Sequence, residues 1–175
     1  MRQRKPFALV VCLCLILAFC ENDSLFAQDI DEAPPKLQAA LFVKLLAFNK
    51  GLASGGDISI YVVGSQAFAT AMKSGIGQRI GQGKISAVTT GDGLPTEKPE
   101  VIYVGNASMT DKVIEYTRAN GIMSITGKPA QVKKGVALGV GVREGKPKIL
   151  LNLSASKAEG IDWNPALLKI ATVFR

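Results

Sequence analysis

Apolar and polar positions in this chain repeat with two different periods, and the switches between them set an order of elements. Leu37, Leu41, Leu45 and Phe48 recur at helical spacing, with Ala40, Phe42 and Leu46 widening the stripe. Pro35 suits the first turn of that helix, where a missing N–H costs nothing, and Gly51 with the Gly55-Gly56 pair ends it. The run Ile58-Ser59-Ile60-Tyr61-Val62-Val63 is too continuous for an exposed strand and reads as a buried central one. Gly64-Ser65 then turns into a helix carrying Phe68, Ala71 and Met72. Residues 75–83 are Gly-rich and looser, residues 85–89 predict a short strand, and residues 91–95 a turn. Val101-Ile102-Tyr103-Val104 is a second strand of the buried type.

Ser108 and Asp111 form a capping box for a helix through Val113, Ile114 and Tyr116, which Asn120-Gly121 closes. Ile122-Met123-Ser124-Ile125 predicts the next strand. Residues 136–142 and 147–153 flank Arg143-Glu144-Gly145-Lys146, a strong hairpin signal. Ser154 reads as the cap of a short helix ending at Gly160. The last helix has Asn164 as its cap, Pro165 at its first position and Trp163 placed to staple onto Leu168, with Leu167, Leu168 and Ile170 toward the sheet. The order α-β-α-β-β-α-β-β-β-α-α predicts an α/β fold. It is a single domain, a largely parallel sheet with helices on both faces and an antiparallel hairpin near the C-terminus.

Residues 1–27 follow a different grammar. Arg2, Arg4 and Lys5 precede an unbroken apolar run over residues 7–20, then a polar stretch and Leu25-Phe26-Ala27. This is the layout of a secretory signal peptide cut after Ala27. Fourteen apolar residues fall short of the roughly 20 that a membrane span needs. The expected organisation is a signal peptide at 1–27, a short polar, Pro-rich leader at 28–35 and the α/β domain at 36–175, with no membrane span. Leu17-Ala18-Phe19-Cys20 resembles a lipoprotein box, but Phe19 stands where that pattern wants a small residue, so a lipid anchor at Cys20 is the lesser reading. Cys12, Cys14 and Cys20 all precede Ala27, so the expected mature chain can form no disulfide.

Composition narrows the chemistry. The chain has no histidine, which excludes Ser-His-Asp and Cys-His nucleophile pairs and imidazole metal sites. The net charge is +7, and removing residues 1–27 takes away Arg2, Arg4, Lys5, Glu21 and Asp23, leaving +6. The basic residues are scattered, with Lys133-Lys134 the densest spot, and are not interleaved with aromatics as a nucleic-acid surface would require. An acidic protein surface or a cell-wall polymer is a more natural partner, and a charge that only keeps the domain soluble is as economical.

Several motifs dissolve on inspection. Gly75-x-Gly77-x-x-x-Gly81 has one residue too many for a dinucleotide fingerprint and follows a helix. Gly139-x-Gly141 lies in a strand, where glycines mark close backbone approach. Ser154-x-x-Lys157 has the spacing of penicillin-recognising acylases, but their Ser-Asp-Asn and Lys-Thr-Gly elements are missing. Gly64-Ser65 could hold an anion on backbone N–H groups, as many strand-to-helix turns can. The carboxylates Asp57, Asp92, Glu97, Glu100, Asp111, Glu115, Glu144, Glu159 and Asp162 sit mostly in turns or at helix starts. No spacing marks an acid–base pair. The sequence nominates no catalytic, metal or cofactor-binding residue and no cofactor.

The C-terminal third carries a family resemblance. Gly135-Val136-Ala137-Leu138-Gly139-Val140-Gly141-Val142, Gly145-Lys146, Ile149-Leu150-Leu151-Asn152-Leu153 and Ala155 resemble the end of the YfiR family. So do Lys157-Ala158-Glu159-Gly160-Ile161 and Pro165-Ala166-Leu167-Leu168-Lys169-Ile170-Ala171, and upstream Ala39-Ala40-Leu41-Phe42-Val43-Lys44 and the strands ending at Gly64 and Val104 match its layout. The resemblance implies an exported, non-enzymatic adaptor that is commonly a homodimer. The adaptor binds and restrains the periplasmic domain of an inner-membrane diguanylate cyclase, and so controls cyclic-di-GMP. A sensor kinase or transport complex is the next candidate target, and an outer-membrane lipoprotein is the implied relieving partner. The namesake's disulfide control does not carry over to a cysteine-free mature chain. The helix over residues 35–49 also lacks the aromatic-Trp ending of many relatives, which puts a partner contact there in doubt. The rival reading is a small periplasmic solute-binding protein using the turns at Gly64-Ser65 and Gly105-Asn106.

Overall fold

The computed structural model describes residues 30–175; the segment read as a signal peptide, with its three cysteines and the cut before Gln28, lies outside them. Strand β2 (Asp57–Val63) is an interior strand of the sheet. It is paired in parallel on one side with β4 (Gly83–Gly91) and on the other with β5 (Val101–Val104). Beyond β5 follow β6 (Met123–Thr126) and β7 (Leu138–Arg143), still parallel. Then β8 (Lys146–Asn152) is antiparallel to β7, and β9 (Thr172–Phe174) is parallel to β8. The order is β3-β4-β2-β5-β6-β7-β8-β9, with the two-residue β3 (Arg79–Ile80) on the far edge. Strand β1 (Asp31–Glu32) lies within the stretch read as a leader and pairs with β7 at Val142 and Gly141. The mixed α/β single domain read from the sequence is the fold observed.

Alternation along the strands divides the core in two. On one face Ile58, Ile60, Val62, Val101, Tyr103 and Ile125 meet α1 (Pro35–Leu46) and α3 (Gln66–Lys73); α2 (Lys50–Ala53) is a short turn between α1 and β2. On the other face Val63, Ile102, Val104 and Val136 meet Val113 and Ile114 of α4 (Thr110–Asn120). At the centre of the first face the Phe68 and Tyr103 rings stack at 3.7 Å, and Phe42 stands edge-on to both. The β7–β8 hairpin closes with Glu144 (φ 53°) and Gly145 (φ 72°), two left-handed residues whose twist matches that of the strands.

Several local expectations are corrected. The buried face of α1 is Gln38, Ala39, Phe42, Leu45 and Leu46, not the stripe through Leu37 and Leu41, and Ala40 is exposed. The helix is apolar nearly all round, so periodicity alone could not centre it. Gly51 lies inside α2, which Asn49 caps by accepting from Gly51 and Leu52 N–H. Asn106, not Ser108, caps the 3₁₀ turn Ala107–Met109 before α4, and Asn152, not Ser154, caps α6 (Leu153–Ala158). A helix absent from the sequence reading, α5 (Pro129–Lys134), packs on β7 and β8. The last helix, α7 (Pro165–Leu168), has the expected Asn164 cap, but it is one turn long. It buries Leu167 only: Leu168 and Ile170 are exposed, because the chain turns into β9.

Candidate functional site

Three places can be weighed from their geometry. The first is the crevice where the strand order reverses, between the C-terminal ends of β2 and β5, the usual ligand position in such sheets. Here the two turns fill one another. A Cβ on Gly64 would lie 2.5 Å from Asn106 Cβ, and one on Gly105 would lie 2.5 Å from Ser65 Cβ. The donors are taken as well: Gly64 N–H bonds Gly91 O, and Gly105 and Asn106 N–H both bond Val63 O. The Ser65 hydroxyl caps α3 at Phe68 N–H. A solute would have to separate packed turns and break their hydrogen bonds.

The second is the Ser154-x-x-Lys157 pair. Both side chains are exposed on α6 and no hydrogen bond joins them. The polar machinery of this helix lies on its buried side, where Ser156 Oγ donates to Asn152 O and Asn152 Nδ2 donates to Val132 O.

Glu159, at the end of the same helix, is the carboxylate that the sequence reading placed with the turn residues. It is 2% exposed. Its oxygens accept from Thr117 Oγ1 (2.7 Å), Ser124 Oγ (2.6 Å) and Ser124 N–H (2.9 Å), and Ser124 Oγ accepts from Ala137 N–H. Burial pushes its carboxyl above the usual range, against the opposing pull of the hydrogen bonds and of Arg118. Every oxygen is engaged, so the cluster ties α4, β6 and α6 together rather than facing a ligand. Among the described residues no three His, Cys, Asp or Glu side chains converge as a metal site.

The third place is an open groove of about 890 Å³ between α1 and α3. Its floor is Ala39, Met72 and Gly75, with Val43 and Ala71 on the walls. Beneath it, Tyr103 Oη donates to Gln38 Oε1 at 2.7 Å and Gln38 Nε2 donates to Ala33 O at 2.6 Å. The buried phenol is held far above its usual pKa, by desolvation first and the Glu32 charge second. These bonds fix α1 to the sheet and so fix one wall of the groove. The sequence held a partial signal in residues 36, 40 and 44, which recur at helical spacing; the facing small residues of α3 become neighbours only in the fold.

Sequence comparison matches the chain to the YfiR/HmsC-like family over residues 35–172. The chain belongs to that family. The match covers every element from α1 to the start of β9, including the groove and the Glu159 cluster. No curated protein matches the chain. Two solved structures are similar to it in fold. One is a conserved domain protein from Vibrio cholerae, 18% identical with a TM-score of 0.57, over 83% of this chain and 61% of that one. The other is the ABC domain in complex with L-Trp from Streptococcus pneumonia, 13% identical with a TM-score of 0.53, over 82% of this chain and 62% of that one. The chain thus spans about three fifths of each. No helix among the described residues is long and apolar enough to cross a membrane.

Proposed function

We propose that this protein is an exported, non-enzymatic adaptor that binds and restrains the periplasmic domain of an inner-membrane diguanylate cyclase. The observation that carries this reading is the family match over residues 35–172. The adaptor acts by differential affinity: it binds the inactive conformation of the sensor domain more tightly, and the population follows. A homodimer is the proposed working unit, and a sensor kinase is the alternative target. The filled crevice at Gly64 and Asn106 weighs against the solute-binding reading.

Deleting the gene should raise cellular cyclic-di-GMP, and the wild-type gene supplied in trans should restore it. An unchanged level in the deletion strain overturns the cyclase assignment. The exported chain should begin at Gln28 and melt identically with and without a thiol reductant, since residues 28–175 contain no cysteine. A lipid-modified Cys20 at the N-terminus, detected by mass spectrometry, overturns the soluble form.

A further inference from the structure

The α1–α3 groove has one property that the fold does not require. Lys36 and Lys44 of α1 line it, and no carboxylate does. Both lysines are exposed, and neither has an ion-pair partner among the described residues. Unpaired cations therefore flank an apolar trough with a floor of small and buried side chains.

We propose that this groove docks an amphipathic segment of the regulated protein, with small apolar side chains on one face and Asp or Glu on its flanks. The reading rests on the adaptor role proposed above and adds where the partner sits and what chemistry it presents. The apolar floor supplies the desolvated centre of the contact, and the lysines supply register and steering at its rim. Two other occupants fit less well. A second copy seated face to face would bring like charges together across the contact. An anionic bilayer takes up protruding apolar side chains, whereas Ala39, Met72 and Gly75 are recessed.

The test uses the full gene in its own bacterium, with the photo-crosslinker p-benzoylphenylalanine in place of Ala40 or Ala71, and in place of Glu115 on the opposite face as a control. The expected result is a crosslinked peptide from a membrane protein, sequenced by mass spectrometry, with an apolar stripe flanked by carboxylates. Lys36→Glu with Lys44→Glu should lower its yield by about tenfold, and Lys36→Arg with Lys44→Arg should retain it. Crosslinks only to a second copy, only to a segment without carboxylates, or equally from position 115 overturn the proposal. So does a yield indifferent to charge reversal, the absence of any crosslink, or lysine-dependent flotation with phosphatidylglycerol vesicles in place of a protein crosslink. Cyclic-di-GMP read in the deletion strain separates the two claims. A raised level without a groove crosslink leaves the regulatory role and removes the docking site. An unchanged level with the crosslink does the reverse.

Discussion

Glu159 accepts both the backbone N–H and the hydroxyl of Ser124, at 2.9 and 2.6 Å, so a carboxylate from the end of α6 is locked to the middle of β6. With Thr117 as the third donor, one buried side chain fastens its own helix to two elements that are 42 and 35 residues away in sequence. A buried carboxylate is tolerated where its lone pairs are filled, and the cost appears as a raised pKa.

That raised pKa has a definite sign. Between the folded value and the ordinary value near 4.5, the native state binds more protons than the unfolded chain, so the Glu159 contribution makes the fold more stable as pH falls through that window. Urea melts of wild type and Glu159→Gln, from pH 7 downward, should show the wild type gaining on the variant. Glu159→Ala strands three donors and should cost roughly 3 kcal/mol at pH 7. A wild-type advantage that shrinks as pH falls would contradict the assigned shift.

Tyr103→Phe keeps the stack on Phe68 but removes the donor to Gln38 Oε1, and should cost about 1–2 kcal/mol. Gln38→Ala should cost more, because the phenol and the Ala33 carbonyl both lose their partner. The double variant should cost less than the sum of the two, since the residues share one hydrogen bond. Strict additivity in denaturant melts would show that this bond contributes nothing.

At Gly139 a Cβ would run into Val132 Cγ2 of α5, so Gly139→Ala should destabilise by roughly 1–3 kcal/mol through overpacking. Adding Val132→Ala removes the obstructing methyl groups and should recover part of that loss. If the second substitution only adds to the damage, close approach of α5 is not why the glycine is there.

The caps at Asn152 and Asn164 should differ in strength. Asn152 caps α6 and also holds Val132 O from a nearly buried position, so Asn152→Ala should cost about 2 kcal/mol. Asn164 caps a single exposed turn, and Asn164→Ala should cost about 0.5 kcal/mol. Ser154→Ala and Lys157→Ala should leave both the melting temperature and cyclic-di-GMP unchanged. Loss of output from Lys157→Ala in a folded protein would reopen a role for that lysine.

The fold class follows from the chain alone, because strand and helix periods are local properties. The buried runs at 58–63 and 101–104 and the Glu144-Gly145 turn were all legible without knowing their neighbours. Whatever depends on partners distant in the chain emerges only in the folded domain. The two residues of β1 become a strand only because β7 offers an edge beyond the end of β6. Gln38 is the buried centre of α1 only because Tyr103 and Ala33 satisfy its amide. Glu159 is an interior residue only because Thr117 and Ser124 arrive from elsewhere to fill its oxygens. The candidate docking groove obeys the same logic. Lys36 and Lys44 share one face by helical spacing, but the trough beside them exists only where α3 lies across the same side of the sheet. Burying a polar residue is costly unless it is paired, and the pairs at Gln38 and Glu159 are set by topology, which no local period encodes.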